Sequence, residues 1–87
     1  MMTEENIILI QTCDMCPEQY DAVDQSGKTL GYLRLRWGNF TVECPDVYGE
    51  LVYEAQPEGF GCFEDDEREE YLQKAKKAIT EYWNRQA

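Results

Sequence analysis

The segment Thr29-Leu30-Gly31-Tyr32-Leu33-Arg34-Leu35-Arg36-Trp37 decides the fold because its apolar and polar side chains alternate. Alternation predicts a half-buried β-strand, since successive side chains of a strand point to opposite faces of the sheet. Leu33, Leu35 and Trp37 are then expected to face the core. The dipeptide Gly38-Asn39 that follows is typical of a two-residue hairpin turn. We therefore expect the chain to reverse there and to pair with itself.

Four other segments predict strands, and one predicts a helix. The strands are expected at residues 6–12, 19–24, 40–44 and 50–55, and the first is expected to be central because it is apolar on both faces. From residue 64 onward the apolar residues recur at helical spacing, namely Tyr71, Leu72, Ala75, Ala78, Ile79, Tyr82 and Trp83. The carboxylates of Asp65 or Asp66 are suited to cap this helix.

These elements predict an α+β fold in one domain spanning residues 1–87. An antiparallel β-meander of four to five strands, within about residues 6–55, would be packed on one face by a single long C-terminal α-helix at about residues 64–85. The other face of the sheet could stay open to solvent, as antiparallel sheets allow.

Acidic residues dominate the chain, which has a formal net charge of −10 at pH 7 and no histidine. Residues 1–27 contain no Lys or Arg, and residues 43–70 contain only Arg68. Because phosphate binding needs Lys and Arg, this distribution argues against direct nucleic-acid binding. It favours a protein partner with a basic surface, which an acidic protein attracts over long distances.

Two surfaces are candidates for contact with such a partner. The first is the open sheet face, where we expect aromatic and arginine side chains of the kind enriched at interfaces, namely Tyr32, Arg34, Arg36 and Tyr53. The second is an acidic rim formed by Glu43, Asp46, Glu50, Glu54, Glu64, Asp65 and Asp66. Carboxylates spaced along a ridge could also imitate DNA phosphates. A DNA-mimic inhibitor of a nucleic-acid-binding protein is therefore the first alternative function.

The segment Cys13-Asp14-Met15-Cys16 has the spacing of half a zinc site or of a redox motif. In the predicted meander Cys44 lies at the opposite end of the sheet from the other cysteines. A zinc site would therefore be limited to Cys13, Cys16 and Cys62 with a carboxylate such as Asp14. The order of strand and Cys-x-x-Cys resembles the active corner of thioredoxin-like proteins, which implies a redox-active thiol pair. The helices of that family are not predicted after the motif.

We expect Cys13 and Cys16 to shape a turn, and Cys44 and Cys62 to pack as small apolar residues, with all four thiols reduced. No cofactor is then expected. A zinc-stabilised or thiol-redox domain that uses Cys13 and Cys16 is the second alternative function.

Catalysis is not predicted for this chain. A Cys–His nucleophile needs histidine, and a chain of 87 residues has a small core with little room for a buried active site. The sequence shows no basic leader, and its longest apolar run is too short to span a membrane. We expect a cytoplasmic monomer or homodimer that is a non-enzymatic protein-interaction module. Its size and acidity are similar to those of small accessory proteins that phages and mobile elements encode.

Overall fold

The computed structural model describes residues 2–13 and 15–86, in which a five-stranded antiparallel sheet carries one long helix on one face. The strands pair in chain order, and they are β1 (Ile8–Cys13), β2 (Glu18–Val23), β3 (Thr29–Arg36), β4 (Asn39–Cys44) and β5 (Glu50–Ala55). A short 3₁₀ helix (Glu4–Asn6) precedes β1, and the helix α1 (Arg68–Gln86) follows β5. The predicted α+β meander is confirmed.

One face of the sheet packs against α1 and forms the core. The alternating pattern of β3 and β4 correctly predicts the residues that are fully buried there, namely Leu33, Leu35, Phe40, Val42 and Cys44. The helix buries Ala75, Ala78 and Ile79, and its larger apolar side chains pack around them. This is the apolar helix face that the spacing predicts.

The sheet has two ends, which carry different loops. The upper end is defined by Cys13, Glu18, Arg36, Asn39 and Ala55, and the lower end by Ile8, Val23, Thr29, Cys44 and Glu50. The helix begins at the upper end, where Arg68 contacts Glu18, and runs to the lower end, where Arg85 lies 3.8 Å from Glu50. Residues that are distant in sequence therefore meet at each end.

The β3–β4 hairpin turns one residue earlier than the sequence predicts. Arg36 pairs with Asn39, so the loop residues are Trp37 and Gly38. Both have positive φ, 56° and 73°, as a two-residue type I′ turn requires. The expectation that Trp37 faces the core is wrong, because the turn leaves this side chain 70% exposed.

The prediction that β1 is a central strand is also wrong. In a meander the first strand pairs with the second alone, so β1 forms an edge of the sheet. Its outward residues Ile8 and Ile10 are 45% and 50% exposed, while Leu9 packs against the core. The strand β1 is therefore apolar on both faces, although only one of these faces is buried.

The start of α1 differs slightly from the prediction. Residues 64–67 form a turn, and the helix begins at Arg68. The carboxylate of Glu67, directly before the helix, accepts the backbone N–H of Glu64 at 2.9 Å, and Asp65 pairs with the side chain of Arg68. The predicted capping by Asp65 or Asp66 is therefore not observed among the described residues. Within residues 2–13 and 15–86, no helix combines the length and the apolar character needed to cross a membrane.

Candidate functional site

The strand register places the four residues predicted for the open sheet face on two different faces of the sheet. Tyr32, Arg34 and Arg36 do lie opposite the helix, and the Tyr32 hydroxyl donates a hydrogen bond to Gln19 at 3.0 Å. Tyr53 lies on the helix side, because it pairs with the buried Val42. Its ring makes an edge contact with Phe40 at 6.1 Å between centroids. The open face therefore holds three of the four predicted residues.

The acidic rim divides between the two ends of the sheet. Glu54, Glu64, Asp65 and Asp66 lie towards the upper end, whereas Glu43, Asp46 and Glu50 lie towards the lower end. Among the described residues, the rim makes two ion pairs, from Asp65 to Arg68 at 2.9 Å and from Glu50 to Arg85 at 3.8 Å. The other rim carboxylates have no ion-pair partner in this part of the chain.

The cysteines are arranged differently from the prediction. Cys16 and Cys62 form a disulfide with their Cα atoms 5.4 Å apart, so the expectation that both are reduced, and that Cys62 packs as an apolar residue, is wrong. Cys44 is buried in the core as predicted, and burial raises the pKa of its thiol to about 12. Cys13 is a free thiol, and its Sγ donates to the Met15 carbonyl at 3.2 Å.

The disulfide removes two of the three thiols that the alternative zinc site requires, Cys16 and Cys62. The carboxylate considered as a fourth ligand, that of Asp14, lies outside the described residues. Within the described ranges, no group of three or more His, Cys, Asp or Glu residues is arranged to hold a metal ion. The thioredoxin-like pairing of Cys13 with Cys16 is likewise not the one observed.

An aromatic pocket that the sequence did not predict lies at the upper end of the sheet. It has a volume of about 490 Å³ and is lined by Cys16, Pro17, Arg36, Trp37, Phe60 and Gly61. The rings of Trp37 and Phe60 meet edge to face with centroids 5.9 Å apart. These side chains are 70% and 64% exposed, which is unusual for large aromatic residues and typical of binding surfaces.

Glu18 fixes one side of this pocket. Its carboxylate is 2% exposed and accepts hydrogen bonds from Arg68 (2.9 and 3.2 Å), the Tyr20 hydroxyl and the Phe63 N–H (3.1 Å). Burial alone would raise the pKa of Glu18, but these hydrogen bonds outweigh burial and lower that pKa below its ordinary value. Burial and the neighbouring carboxylate raise the pKa of Tyr20 to about 12. The Glu18 N–H also donates to the Gly61 carbonyl at 2.7 Å.

Glu67 fixes the other side of the pocket. Its carboxylate accepts the backbone N–H groups of Glu58 and Gly59, each at 2.8 Å, besides that of Glu64. Burial alone would raise the pKa of Glu67, but the three backbone donors lower it. A side chain at Gly59 would collide with the Cys62 carbonyl, since an added Cβ would lie 2.0 Å from that oxygen. The loop at residues 56–63 is therefore tightly held, although Phe60 at its tip faces solvent.

Two of the residues that line the aromatic pocket, Arg36 and Trp37, carry hydrogen-bond donors in their side chains. Arg36 places its guanidinium 5.7 Å from the Trp37 ring, and the indole of Trp37 adds an N–H. The Phe60 and Gly61 carbonyls already accept bonds from Gly38 and Glu18. The pocket thus combines apolar walls with donors, a composition suited to binding a ligand that carries acceptors.

One signal in the sequence could have identified this pocket. Phe60 stands between Gly59 and Gly61, and Trp37 precedes Gly38, so each aromatic residue adjoins glycines that mark a turn or loop. The signal has no helical or strand period, and its two halves are far apart in the chain. No protein-family model, curated protein or solved structure matches this chain.

Proposed function

We propose that this chain is a non-enzymatic protein-interaction module that binds a protein partner with a basic surface. One observation carries the proposal: the rim carboxylates Glu43, Asp46, Glu54, Glu64 and Asp66 have no ion-pair partner among the described residues. Their charge is therefore free to act on other molecules. The accessory role in a phage or mobile element stays a prediction.

The magnitude of the charge supports binding through many weak contacts. An exposed carboxylate contributes little in a single ion pair, about 0–1 kcal/mol. A net charge of −10 on a chain of 87 residues nevertheless produces a field that accelerates encounter with a basic protein. Specific affinity then requires additional apolar contacts, and the exposed aromatic residues of the upper end can provide them.

The DNA-mimic alternative requires carboxylates that follow one continuous ridge. The rim residues instead form two groups at opposite ends of β4 and β5. This division favours the interaction module over the DNA mimic. The two can be distinguished by competition, because duplex DNA should displace the target of a DNA mimic and should leave another basic partner bound.

The test is a selection of random 12-residue peptides on the immobilised chain at low salt. We expect the enriched peptides to carry net positive charge, and their affinity to fall steeply between 50 and 300 mM NaCl because exposed charges are screened. Enrichment of neutral or acidic peptides would contradict the proposal, and so would an affinity that does not change with salt.

Two matched variants assign the binding to a part of the rim. One neutralises the upper group (Glu54→Gln, Glu64→Gln, Asp66→Asn), and the other neutralises the lower group (Glu43→Gln, Asp46→Asn, Glu50→Gln). Each removes three charges and preserves side-chain size. We expect the upper variant to weaken the selected peptides more. If neither variant weakens them, the rim is not the binding surface.

A further inference from the structure

We propose that the aromatic pocket anchors the partner through a proline-containing segment flanked by basic residues. The segment would lie in the extended polyproline II conformation across Trp37 and Phe60. This inference rests on the proposed function, since it names the partner segment that the acidic module recognises.

The hydrogen-bonding character of the pocket favours proline over other residues. Arg36 and the Trp37 indole offer donors, and the Phe60 and Gly61 carbonyls are already engaged within the protein. Proline has a backbone carbonyl and no N–H. In polyproline II the carbonyls make no internal hydrogen bonds and remain available to a partner. A proline segment therefore presents acceptors to the pocket without burying an unpaired donor.

The shape of the pocket also suits a proline ring. The edge-to-face contact of Trp37 and Phe60, with an interplanar angle of 77°, leaves the two rings as adjoining walls of a corner. Pro17 and Cys16, which is disulfide-bonded to Cys62, complete the apolar lining. Proline-rich segments dock in aromatic-lined grooves of other recognition domains.

The charges around the pocket favour a neutral residue inside it and basic residues on either side of it. Arg36 lines the pocket and stands over the Trp37 ring, so a lysine or arginine side chain would be repelled there and the anchoring residue must be neutral. The exposed carboxylates of Glu54 and Glu58 lie near this end of the sheet, beside Asn39 and before Phe60 respectively. Basic residues on either side of the proline would meet these carboxylates.

The rigidity of the pocket reduces the entropic cost of binding. Phe60 is displayed on a loop that is held by the disulfide, by Glu18 through Gly61, and by Glu67 through Gly59. Trp37 is fixed in a turn at φ 56°, a conformation that bulky residues rarely adopt and that persists where the surrounding structure imposes it. Preorganised aromatic surfaces of this kind gain affinity because little freedom is lost on binding.

The experiment titrates four synthetic peptides into the ¹⁵N-labelled full chain and follows the two tryptophan indole signals. One peptide carries six prolines between pairs of lysines. The second replaces the prolines with alternating glycine and serine, the third replaces the lysines with glutamates, and the fourth makes both replacements. Trp83 is the internal control, because its indole N–H donates to the Leu30 carbonyl at 2.8 Å, away from the pocket.

We expect the basic proline peptide to bind at least about tenfold more tightly than each of the other three peptides and to shift the Trp37 indole signal but not that of Trp83. Equal binding of the two basic peptides, with the Trp37 signal unchanged, would overturn this inference and leave the proposed function standing. Equal binding of the basic and acidic proline peptides would instead contradict the proposed function.

Three variants test the assignment to the pocket. Trp37→Ala and Phe60→Ala should each weaken the basic proline peptide at least about tenfold, the loss expected for a central interface residue. Tyr48→Ala is the matched control, because Tyr48 is an aromatic residue 93% exposed at the lower end, and it should leave binding unchanged. Unfolding curves for all three variants exclude a general loss of structure. If Trp37→Ala and Phe60→Ala bind like the parent, the pocket is not the anchor.

Discussion

Both ends of the sheet display an aromatic residue with positive φ, but only one of the two is braced. At the upper end Trp37 has φ 56° and meets Phe60 and Arg36. At the lower end Tyr48 has φ 67° and is 93% exposed, and no aromatic or cation contact to its ring occurs among the described residues.

Tyr48 is a single exposed side chain, whereas Trp37 and Phe60 form a surface that other residues hold in place. The loop between β4 and β5, which carries Tyr48, is closed by short-range hydrogen bonds, such as that from the Gly49 N–H to the Asp46 carbonyl at 2.9 Å. The loop at residues 56–63, which carries Phe60, is tied to residues far away in the chain by a disulfide across 46 residues and by the buried Glu18 carboxylate. Its Phe60 carbonyl also accepts the backbone N–H of Gly38, beside Trp37. The aromatic residues of the upper end are therefore held in one arrangement, and those are the residues we assign to binding.

Removing the disulfide that holds the upper end should cause the largest loss in the free energy of unfolding. A bond that closes a separation of 46 residues is expected to stabilise the chain by about 4 kcal/mol through loop entropy. The variant Cys16→Ser with Cys62→Ser should lose about this free energy of unfolding in urea, and Cys13→Ser is the control. Thiol titration of the unfolded, unreduced parent should find the two thiols of Cys13 and Cys44. Four reactive thiols would contradict the pairing.

Glu18→Gln should have the second-largest effect, a loss of about 3 kcal/mol in the free energy of unfolding, because it leaves Arg68 without its buried partner. Since the fold lowers the pKa of Glu18 from 4.5, the stabilisation is present above pH 4.5 and is lost as the pH falls through the lower native value.

The pH dependence gives this prediction its control. Other carboxylates also titrate in this range, so the informative quantity is the difference in unfolding free energy between the parent and Glu18→Gln. That difference should be constant at neutral pH and should shrink below about pH 4.5. A difference that is the same at pH 3 and at pH 7 would show that the ionised Glu18 does not stabilise the fold.

Replacing Trp37 or Tyr48, which both have positive φ, with asparagine should raise the free energy of unfolding, by less than the losses predicted above. Asn adopts this conformation more easily than Tyr or Trp, so Tyr48→Asn should raise the free energy of unfolding by about 1 kcal/mol. Trp37→Asn should raise it less, because the edge contact with Phe60, worth about 0.5–1.5 kcal/mol, is lost. Urea denaturation of the two variants tests the comparison directly. A larger gain for Trp37→Asn than for Tyr48→Asn would mean that Trp37 is not braced.

The smallest expected effect on stability is that of Cys13, and the two free thiols, Cys13 and Cys44, should differ in reactivity. Cys13 is partly exposed there, whereas Cys44 is fully buried at the lower end with a pKa raised to about 12 by burial. An alkylating reagent at pH 8 should modify Cys13 in the folded protein and should reach Cys44 only after unfolding. Mass mapping of the modified peptides identifies each site. Modification of Cys44 in the folded protein would contradict its burial. The variant Cys13→Ser should change the free energy of unfolding by less than about 0.5 kcal/mol.

The sequence by itself determined the architecture. The alternation in β3 and β4 identifies the inward residues Leu33, Leu35, Phe40 and Val42, and the helical spacing identifies the face of α1 that covers them. These predictions succeed because burial of apolar surface is the dominant favourable term in folding and imposes a local period on each element. The charge distribution along the chain, on which the proposed partner is based, can likewise be read from the sequence.

Only the tertiary structure decided the site. The assignment of Tyr53 to the helix side depends on the register of β4 with β5, and the hairpin turn depends on a one-residue shift that moves Trp37 from the core to the surface. The pocket requires Cys16 to meet Cys62 and Glu18 to meet Phe63. Such contacts join segments more than 40 residues apart through single side chains. They leave no periodic pattern, so the sequence read alone could not reveal them.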